Sequence, residues 1–531
     1  MATALSVPLA IAVTEPVPAA PRAAGAARPD RPGARRRLAG PGARSWLGWL
    51  GRLGLLGLGG WLSLFRLSVP SWGLDEPTYT LAGRAYWHGN FTPNPEHPPL
   101  AKYLIGASQQ LFGQTVTAAR LPSALMLLVT GLVAWAWLAR VGPPAAGPVA
   151  ALLIWTLPVL ATFPEALDRA PDTHVLTRTA MLDPIAAGLS IAALAAGWWW
   201  LRSGRLAAAG CCGLLSALAC AAKFPAALII VVPAVAGCLA AAARPGSVPA
   251  RLGRLAAHAG TWTAAAAGGV VACYAPMGWP GAVDNARRGV AQQRRHGSGG
   301  HLILVSGRPR VHGPWWINLA WQHASWGTGL TVAAGAAVLL GLAARSGLTA
   351  YLAAAGLLPA TLLAPLSGLA LPHYLLLWRP VLIVAAVVGG TAGVHRLAGA
   401  ARGRRAWRVA AVAVAVALAV PAAVSAGRSV ASLATLRPTG YAALPALIPR
   451  GGTIWLAADG NAARVPLPGR RFVNRLPDRP DLTARPTAIV LDRGTTLRRG
   501  DGGLAAFARR HGYHLVRSGP LDIWLNPAPA E

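Results

Sequence analysis

Residues 72–102 read WGLDEPTYTLAGRAYWHGNFTPNPEHPPLAK and follow an apolar run at 46–68. The stretch opens on the adjacent acids Asp75 and Glu76 and closes on Glu96-His97-Pro98-Pro99-Leu100-Ala101-Lys102. Pro77 suits the first turn of a helix, where its missing N–H costs nothing. Thr78 to Trp87 has the amphipathic spacing of a helix lying on a membrane surface. Pro98-Pro99 suits the first turn of a second such helix running toward Phe112. The loop therefore offers two helix starts that bear carboxylates, a histidine and one of only two lysines in the chain, directly after a first membrane span.

The rest of the chain supports that frame. Of 531 residues, 54% are hydrophobic and only 12% charged, about half the charge of a soluble domain. This excludes an ordinary soluble enzyme and a disordered protein, and points to a polytopic α-helical membrane protein. Spans are expected near 46–68, 119–139, 144–163, 180–201, 206–222, 225–243, 256–279, 326–344, 347–367, 372–394 and 409–427, about eleven in all. The five cysteines lie within apolar runs, without a CxxC, and read as small core residues. Residues 1–45 are Ala/Pro/Arg-rich without the apolar segment of a secretory signal, and read as a disordered cytoplasmic tail.

The net charge of +32 is not a nucleic-acid footprint, because the arginines sit in that tail and in short loops between apolar runs. The positive-inside rule places the tail, Arg202 and Arg205, Arg251 and Arg254, and the cluster Arg396–Arg408 in the cytoplasm. Alternation then puts 69–118, 164–177 and 280–325 outside, although the last is itself Arg-rich. It also divides the chain into a tail (1–45), a transmembrane domain (46–427) and an extracytoplasmic C-terminal domain (428–531). In the last, Thr453–Ala458 and Thr487–Asp492 read as strands, Leu504–Arg510 as a helix, and Tyr513–Arg517 with Leu521–Leu525 as a hairpin. This makes a small α/β domain.

Between residues 46 and 427 there are only eight acids: Asp75, Glu76, Glu96, Glu165, Asp168, Asp172, Asp183 and Asp284. On this topology all lie outside or at the outer membrane edge. Solvation of outer loops explains some of them, but not why the inner loops have none. Carboxylates near a membrane core are costly and usually functional. Arg178 and Asp183 fall at the outer end of the fourth span, and Lys223 at the outer end of the fifth. Two lysines and an arginine converging on one face suit a phosphate group. The plainer alternatives are snorkelling for Lys223 and an ion pair with Asp183 for Arg178.

These motifs resemble those of the polyprenyl-phosphate-dependent membrane glycosyltransferases, the group containing protein O-mannosyltransferases and the aminoarabinose transferases of lipid A. The matching segments are Asp75-Glu76, Glu96 to Lys102, Arg178 to Pro184 and the Gly213–Lys223 span. Gly313-Pro314-Trp315-Trp316 and Pro372-His373-Tyr374-Leu375-Leu376 match more loosely. The resemblance covers about residues 46–395. It implies a C-type glycosyltransferase fold and an active site on the outer face. It further implies a lipid-phosphate sugar donor and inversion at the anomeric carbon. By position, Asp75 matches the catalytic carboxylate, with Glu76 beside it, while Lys102 and Arg178 match groups near the donor phosphate. Lys223 is a third candidate for that phosphate, and Asp183 and His97 are supporting residues. Glu96 falls where aminoarabinose transferases place a metal ligand, so a divalent ion is possible. It would need a distant partner such as His296, His301, His312 or His323, in a loop that also reads as merely solvated. The β-trefoil module of eukaryotic mannosyltransferases has no room here.

The chemistry points the same way. A hydroxyl acceptor needs a carboxylate to take its proton, and a leaving phosphate needs cations. The expected partners are thus a polyprenyl-phosphate-linked sugar, membrane lipids and an extracytoplasmic acceptor, with no nucleic acid, at a bacterial plasma membrane. A transporter or lipid flippase is the rival reading, but it calls for ionisable residues near the midplane and paired broken helices. A non-catalytic scaffold would leave residues 96–102 unexplained.

Overall fold

The structure, a computed structural model, describes residues 43–527 apart from 70–74, 144, 158–177, 300–302, 306–307, 368–371, 401–404, 436–439, 459–462, 468, 474–484, 494–502 and 520. The expected tail up to residue 42 and the expected outer segment 164–177 lie outside the described residues.

Each expected span carries a helix. The first is α1 (Ala43–Leu64). The two amphipathic helices of the first loop follow as α2 (Glu76–Trp87) and α3 (Leu100–Phe112). Then come α4 (Val116–Val141), α5 (Ala146–Thr156), α6 (Asp183–Ser203), α7 (Leu206–Ala222), α8 (Ala227–Ala243) and α9 (Val248–Tyr274). After α10 (Gly278–Gly299), the bundle ends with α11 (Ile317–Ala343), α12 (Gly347–Ser367), α13 (Leu375–Ala400) and α14 (Arg405–Thr435). Among the described residues, seven helices are long and apolar enough to cross a membrane.

The segment 280–325 departs from the open loop expected of it. Its first part is α10, whose Arg288 pairs with Asp284 one turn away, followed by a hairpin of β1 (Ile303–Val305) and β2 (Arg308–Arg310) and by the start of α11. A polar helix supported by i,i+4 pairs carries no apolar run to mark it in the sequence. Likewise α14 continues beyond residue 427, because 428–435 contain neither proline nor glycine.

Two positions require glycine. A Cβ on Gly106 of α3 would fall 2.1 Å from the carbonyl oxygen of Gly83 on α2, so the two helices cross at backbone contact. Gln109 bridges the same crossing, donating to Thr80 O at 3.0 Å and accepting from Arg84 Nε at 2.5 Å. In α11, Gly327 adopts φ 73° and interrupts the helix, separating its N-terminal segment from the rest.

After the short α15 (Leu444–Leu447) comes a five-stranded sheet of β3 (Thr453–Ala457), β4 (Arg471–Val473), β5 (Ala488–Asp492), β6 (His514–Ser518) and β7 (Leu521–Leu525), ordered β4-β3-β5-β7-β6. β3 runs parallel to β4 and β5, and β7 is antiparallel to β5 and β6. One face, with Trp455, Ile489 and Trp524, packs on Phe507 of α16 (Leu504–Arg510). The other, with Ile454, Val490 and Ile523, joins the main buried cluster of the chain. Burial on both faces explains why β3 and β5 are continuous apolar runs instead of alternating ones.

Candidate active site

The first loop folds against the starts of α4 and α6. Glu76 opens α2, fully buried, and Arg120 of α4 grips it with two charge-assisted bonds, Nε to Oε1 at 2.6 Å and Nη2 to Oε2 at 2.8 Å. The Ala180 amide also donates to Oε1, at 2.7 Å, and Arg120 Nη1 donates to Leu67 O at 2.7 Å. Arg178 Nη1 donates to Phe65 O at 2.6 Å and Ser123 Oγ to Met181 O at 3.0 Å. A buried carboxylate–guanidinium pair with its remaining hydrogen-bonding capacity used is costly to break. Here it ties the end of α1, the start of α2 and the strand of chain before α6 into one frame.

Asp75 stands just outside that frame, at the N-terminus of α2, partly open to solvent. Its Oδ2 accepts the Tyr79 hydroxyl at 3.3 Å, and the same oxygen of Tyr79 lies 3.2 Å from His97 Nε2. Burial pushes the Tyr79 phenol well above its ordinary pKa, with Asp75, Asp183 and then Tyr374 adding to the effect. The Tyr374 phenol is raised in the same way, by burial and then by Asp183 and Asp75. Mutual influence of this kind requires proximity. Asp183, the first residue of α6, accepts Lys223 Nζ at 2.6 Å, and that ammonium lies 4.8 Å above the Tyr374 ring. The structure thus brings Asp75, Tyr79, His97, Asp183, Lys223 and Tyr374 together where α2, α6, the end of α7 and the turn before α13 meet.

The three carboxylates of the region are not equivalent. Glu76 is neutralised by Arg120 and Asp183 by Lys223, both buried. Asp75 makes no ion pair among the described residues. A carboxylate that is accessible and uncompensated can accept a proton; one locked to a guanidinium is a strut.

The cations differ as well. Arg178 is buried, and its Nε and Nη2 have no hydrogen-bond partner among the described residues. Burial, then the neighbouring Arg120, lowers its pKa to about 10, which leaves it charged at neutral pH. Lys223 already serves Asp183. Lys102 is grouped elsewhere, two turns along α2 from Tyr79: its Nζ donates to Tyr86 Oη at 2.9 Å and Asn94 O at 2.5 Å. Asn285 of α10 joins there by donating to Tyr86 Oη at 3.2 Å. Burial lowers the Lys102 pKa to about 7 against the pull of Glu96.

The pairing of Arg178 with Asp183 weighed from sequence is replaced by Lys223 with Asp183, since Arg178 turns toward Phe65 instead. Glu96 Oε1 accepts Asn94 Nδ2 at 2.6 Å. No group of three or more His, Cys, Asp or Glu side chains suited to a metal ion occurs among the described residues. His296 and His301 lie outside them. The described residues therefore do not assemble a donor set for a divalent ion at Glu96.

Sequence reasoning missed Arg120. The signal was present, an arginine at the start of the apolar run 119–139, but it stands outside the motifs that carried the resemblance. Tyr79 and Tyr374 lay within quoted motifs without a role.

No protein-family model matches the chain, and neither does any curated protein. Among solved structures, ArnT from Cupriavidus metallidurans in the apo state matches over 91% of this chain and 98% of its own, with 14% identity and a TM-score of 0.55. ArnT from the same organism bound to undecaprenyl phosphate matches over the same shares at 15% identity and a TM-score of 0.51. The apo oligosaccharyltransferase of Archaeoglobus fulgidus matches over 87% of this chain and 72% of its own, at 13% identity and a TM-score of 0.48. The chain has the polytopic C-type glycosyltransferase fold that its first loop led one to expect, with a small sheet domain at its C-terminus.

Proposed function

We propose that this protein is an inverting glycosyltransferase that moves a sugar from a polyprenyl-phosphate donor to a hydroxyl on an extracytoplasmic acceptor. The observation that carries the reading is the contrast among its clustered carboxylates: Glu76 and Asp183 are buried and paired with cations, while Asp75 is accessible and unpaired by any described cation. Asp75 accepts the acceptor's proton as its oxygen attacks the anomeric carbon. The bond from that carbon to the phosphate oxygen breaks, and the polyprenyl phosphate leaves with the electron pair. Two points support a lipid-borne donor. The fold is that of a protein crystallised with undecaprenyl phosphate, and nucleotide sugars are absent outside the cell.

Arg178 meets the growing phosphate charge with its two unengaged donors. Lys223 adds positive potential while fixing Asp183. Lys102 holds the α2–α3 hairpin through Tyr86 and Asn94, and its third N–H is left for the phosphate. His97 and Tyr79 orient Asp75. Glu76 positions Asp75 through the frame it shares with Arg120. The protein sits in a bacterial plasma membrane with this cluster outside, an orientation that a reporter after residue 408 (inside) and one after 435 (outside) would check.

The test is transfer by the purified protein in liposomes, with undecaprenyl-phosphate-mannose and undecaprenyl-phosphate-arabinose as donors and cell-envelope glycan and protein fractions as acceptors. Label moving from lipid to acceptor, with the anomeric configuration inverted, is the expected result. Consumption of neither lipid across the acceptor fractions would contradict the reading.

A further inference from the structure

Beside the cluster lies a set of polar groups that the mechanism leaves unused. Asn318, fully buried, and Gln322, 5% exposed, stand one turn apart on the N-terminal segment of α11. Both atoms of each amide lack a hydrogen-bond partner among the described residues. Trp326 continues the same face one turn further, directly before the break at Gly327. Its ring lies 5.8 Å from the guanidinium of Arg379 on α13. Arg379 is 2% exposed, and its Nε and Nη1 also lack partners among the described residues. α11 packs side by side with α13 and also against the turn Pro372–Tyr374. Tyr374 takes the Lys223 ammonium on its ring. The unused polar face thus adjoins the catalytic cluster, less than two helical turns from Tyr374 along α13.

Buried polar groups in folded proteins are satisfied, and groups that are not call for a reason. Here the donors and acceptors are mixed. Two amides offer two carbonyl oxygens and two NH₂ groups, and a guanidinium adds a planar fork of donors. Phosphate, which only accepts, would be repelled by the amide oxygens. An apolar chain would leave every group unmatched. A sugar ring has hydroxyls that both donate and accept, vicinal pairs that fit a guanidinium fork, and a C–H face that packs on an indole.

We infer that Asn318, Gln322, Trp326 and Arg379 form a subsite for the hydroxyls of a sugar ring next to the bond being made. This rests on the proposed glycosyl transfer and adds where the sugar is read. The ring is either that of the donor or that of the acceptor.

The experiment compares full-length wild type with Gln322→Leu, Asn318→Leu and Arg379→Met in nanodiscs. The probes are bare undecaprenyl phosphate, undecaprenyl-phosphate-mannose and undecaprenyl-phosphate-arabinose, measured by competition, with transfer kinetics on an acceptor glycan alongside. If the donor sugar is read here, wild type prefers one sugar-bearing lipid over the bare one. The variants then lose about tenfold of that preference, roughly one buried hydrogen bond, with bare-lipid affinity unchanged. If the acceptor sugar is read here, the preference survives and the acceptor KM rises about tenfold. A folded Gln322→Leu protein with neither change, above all one with a raised Tm from removing an unsatisfied amide, overturns the subsite. Wild type that binds none of the lipids overturns the donor reading and the subsite together.

Discussion

Lys223 Nζ stands 2.6 Å from Asp183 Oδ2, and both side chains are buried. The pair joins the end of α7 to the start of α6, with the ammonium over the face of the Tyr374 ring. Removing one member leaves the other buried without its partner. Lys223→Met or Asp183→Leu alone should therefore cost about 3–5 kcal/mol, read as a large drop in Tm in detergent. The double substitution should recover most of it. Equal Tm values for the single variants and wild type would show that the pair is not a structural tie.

Glu76 and Asp75 are neighbours with opposite roles. Glu76→Gln keeps the shape but leaves Arg120 facing a neutral amide, so stability should fall, with residual transfer tracking the folded fraction. Measuring Tm and transfer on the same preparations separates the two residues. A Glu76→Gln protein of wild-type Tm but without transfer would make Glu76 a catalytic group and not a strut.

Lys102 gives a pH signature. Its pKa falls from the ordinary 10.5 to about 7 in the folded chain, so between those values the unfolded chain holds more protons. Stability must then rise with pH across that window, by at most about 1.4 kcal/mol per pH unit from this one group. Below about pH 7 both states are protonated and the contribution is flat. Lys102→Met should remove this component from a Tm series between pH 6.5 and 10. An unchanged slope would mean that Lys102 is not desolvated.

Arg178 is the cation with capacity to spare. Arg178→Ala should lower transfer efficiency about 10- to 150-fold, the value of one charge-assisted bond of roughly 1.5–3 kcal/mol. Arg178→Lys should restore part of it, because a point charge replaces a planar fork. Transfer rate against donor concentration is the measurement. Unchanged kinetics would move the phosphate site elsewhere.

Much of this was legible in the residues. Apolar runs located all seven described helices that are long and apolar enough to cross a membrane, because hydrophobic length is a strong one-dimensional signal. The prolines at 77, 98 and 99 and the amphipathic spacing located α2 and α3. The acids were noticed because they were scarce. The sequence did not reveal which acid is free and which is held. That depends on Arg120 and Lys223, which are 44 and 40 residues from their partners, and no local pattern encodes pairs at such separation. α10 was missed because its residues are polar, and the short strand β4 because three residues at a sheet edge carry too little pattern. The polar face of Asn318, Gln322 and Arg379 was invisible for a further reason. Asn318 and Gln322 fall in the segment 280–325, outside the apolar runs, Arg379 is a lone cation inside one, and only the packing of α11 against α13 makes them a group.

The central claim is that Asp75 alone among the clustered carboxylates takes the acceptor's proton, and Asp75→Asn tests it most directly. The amide keeps the size of the side chain and can still accept from Tyr79, so Tm should match wild type. Transfer from the lipid-phosphate donor in liposomes should fall by about 10²–10⁴-fold, with the affinity for bare undecaprenyl phosphate unchanged. A folded Asp75→Asn protein that transfers at the wild-type rate would contradict the account.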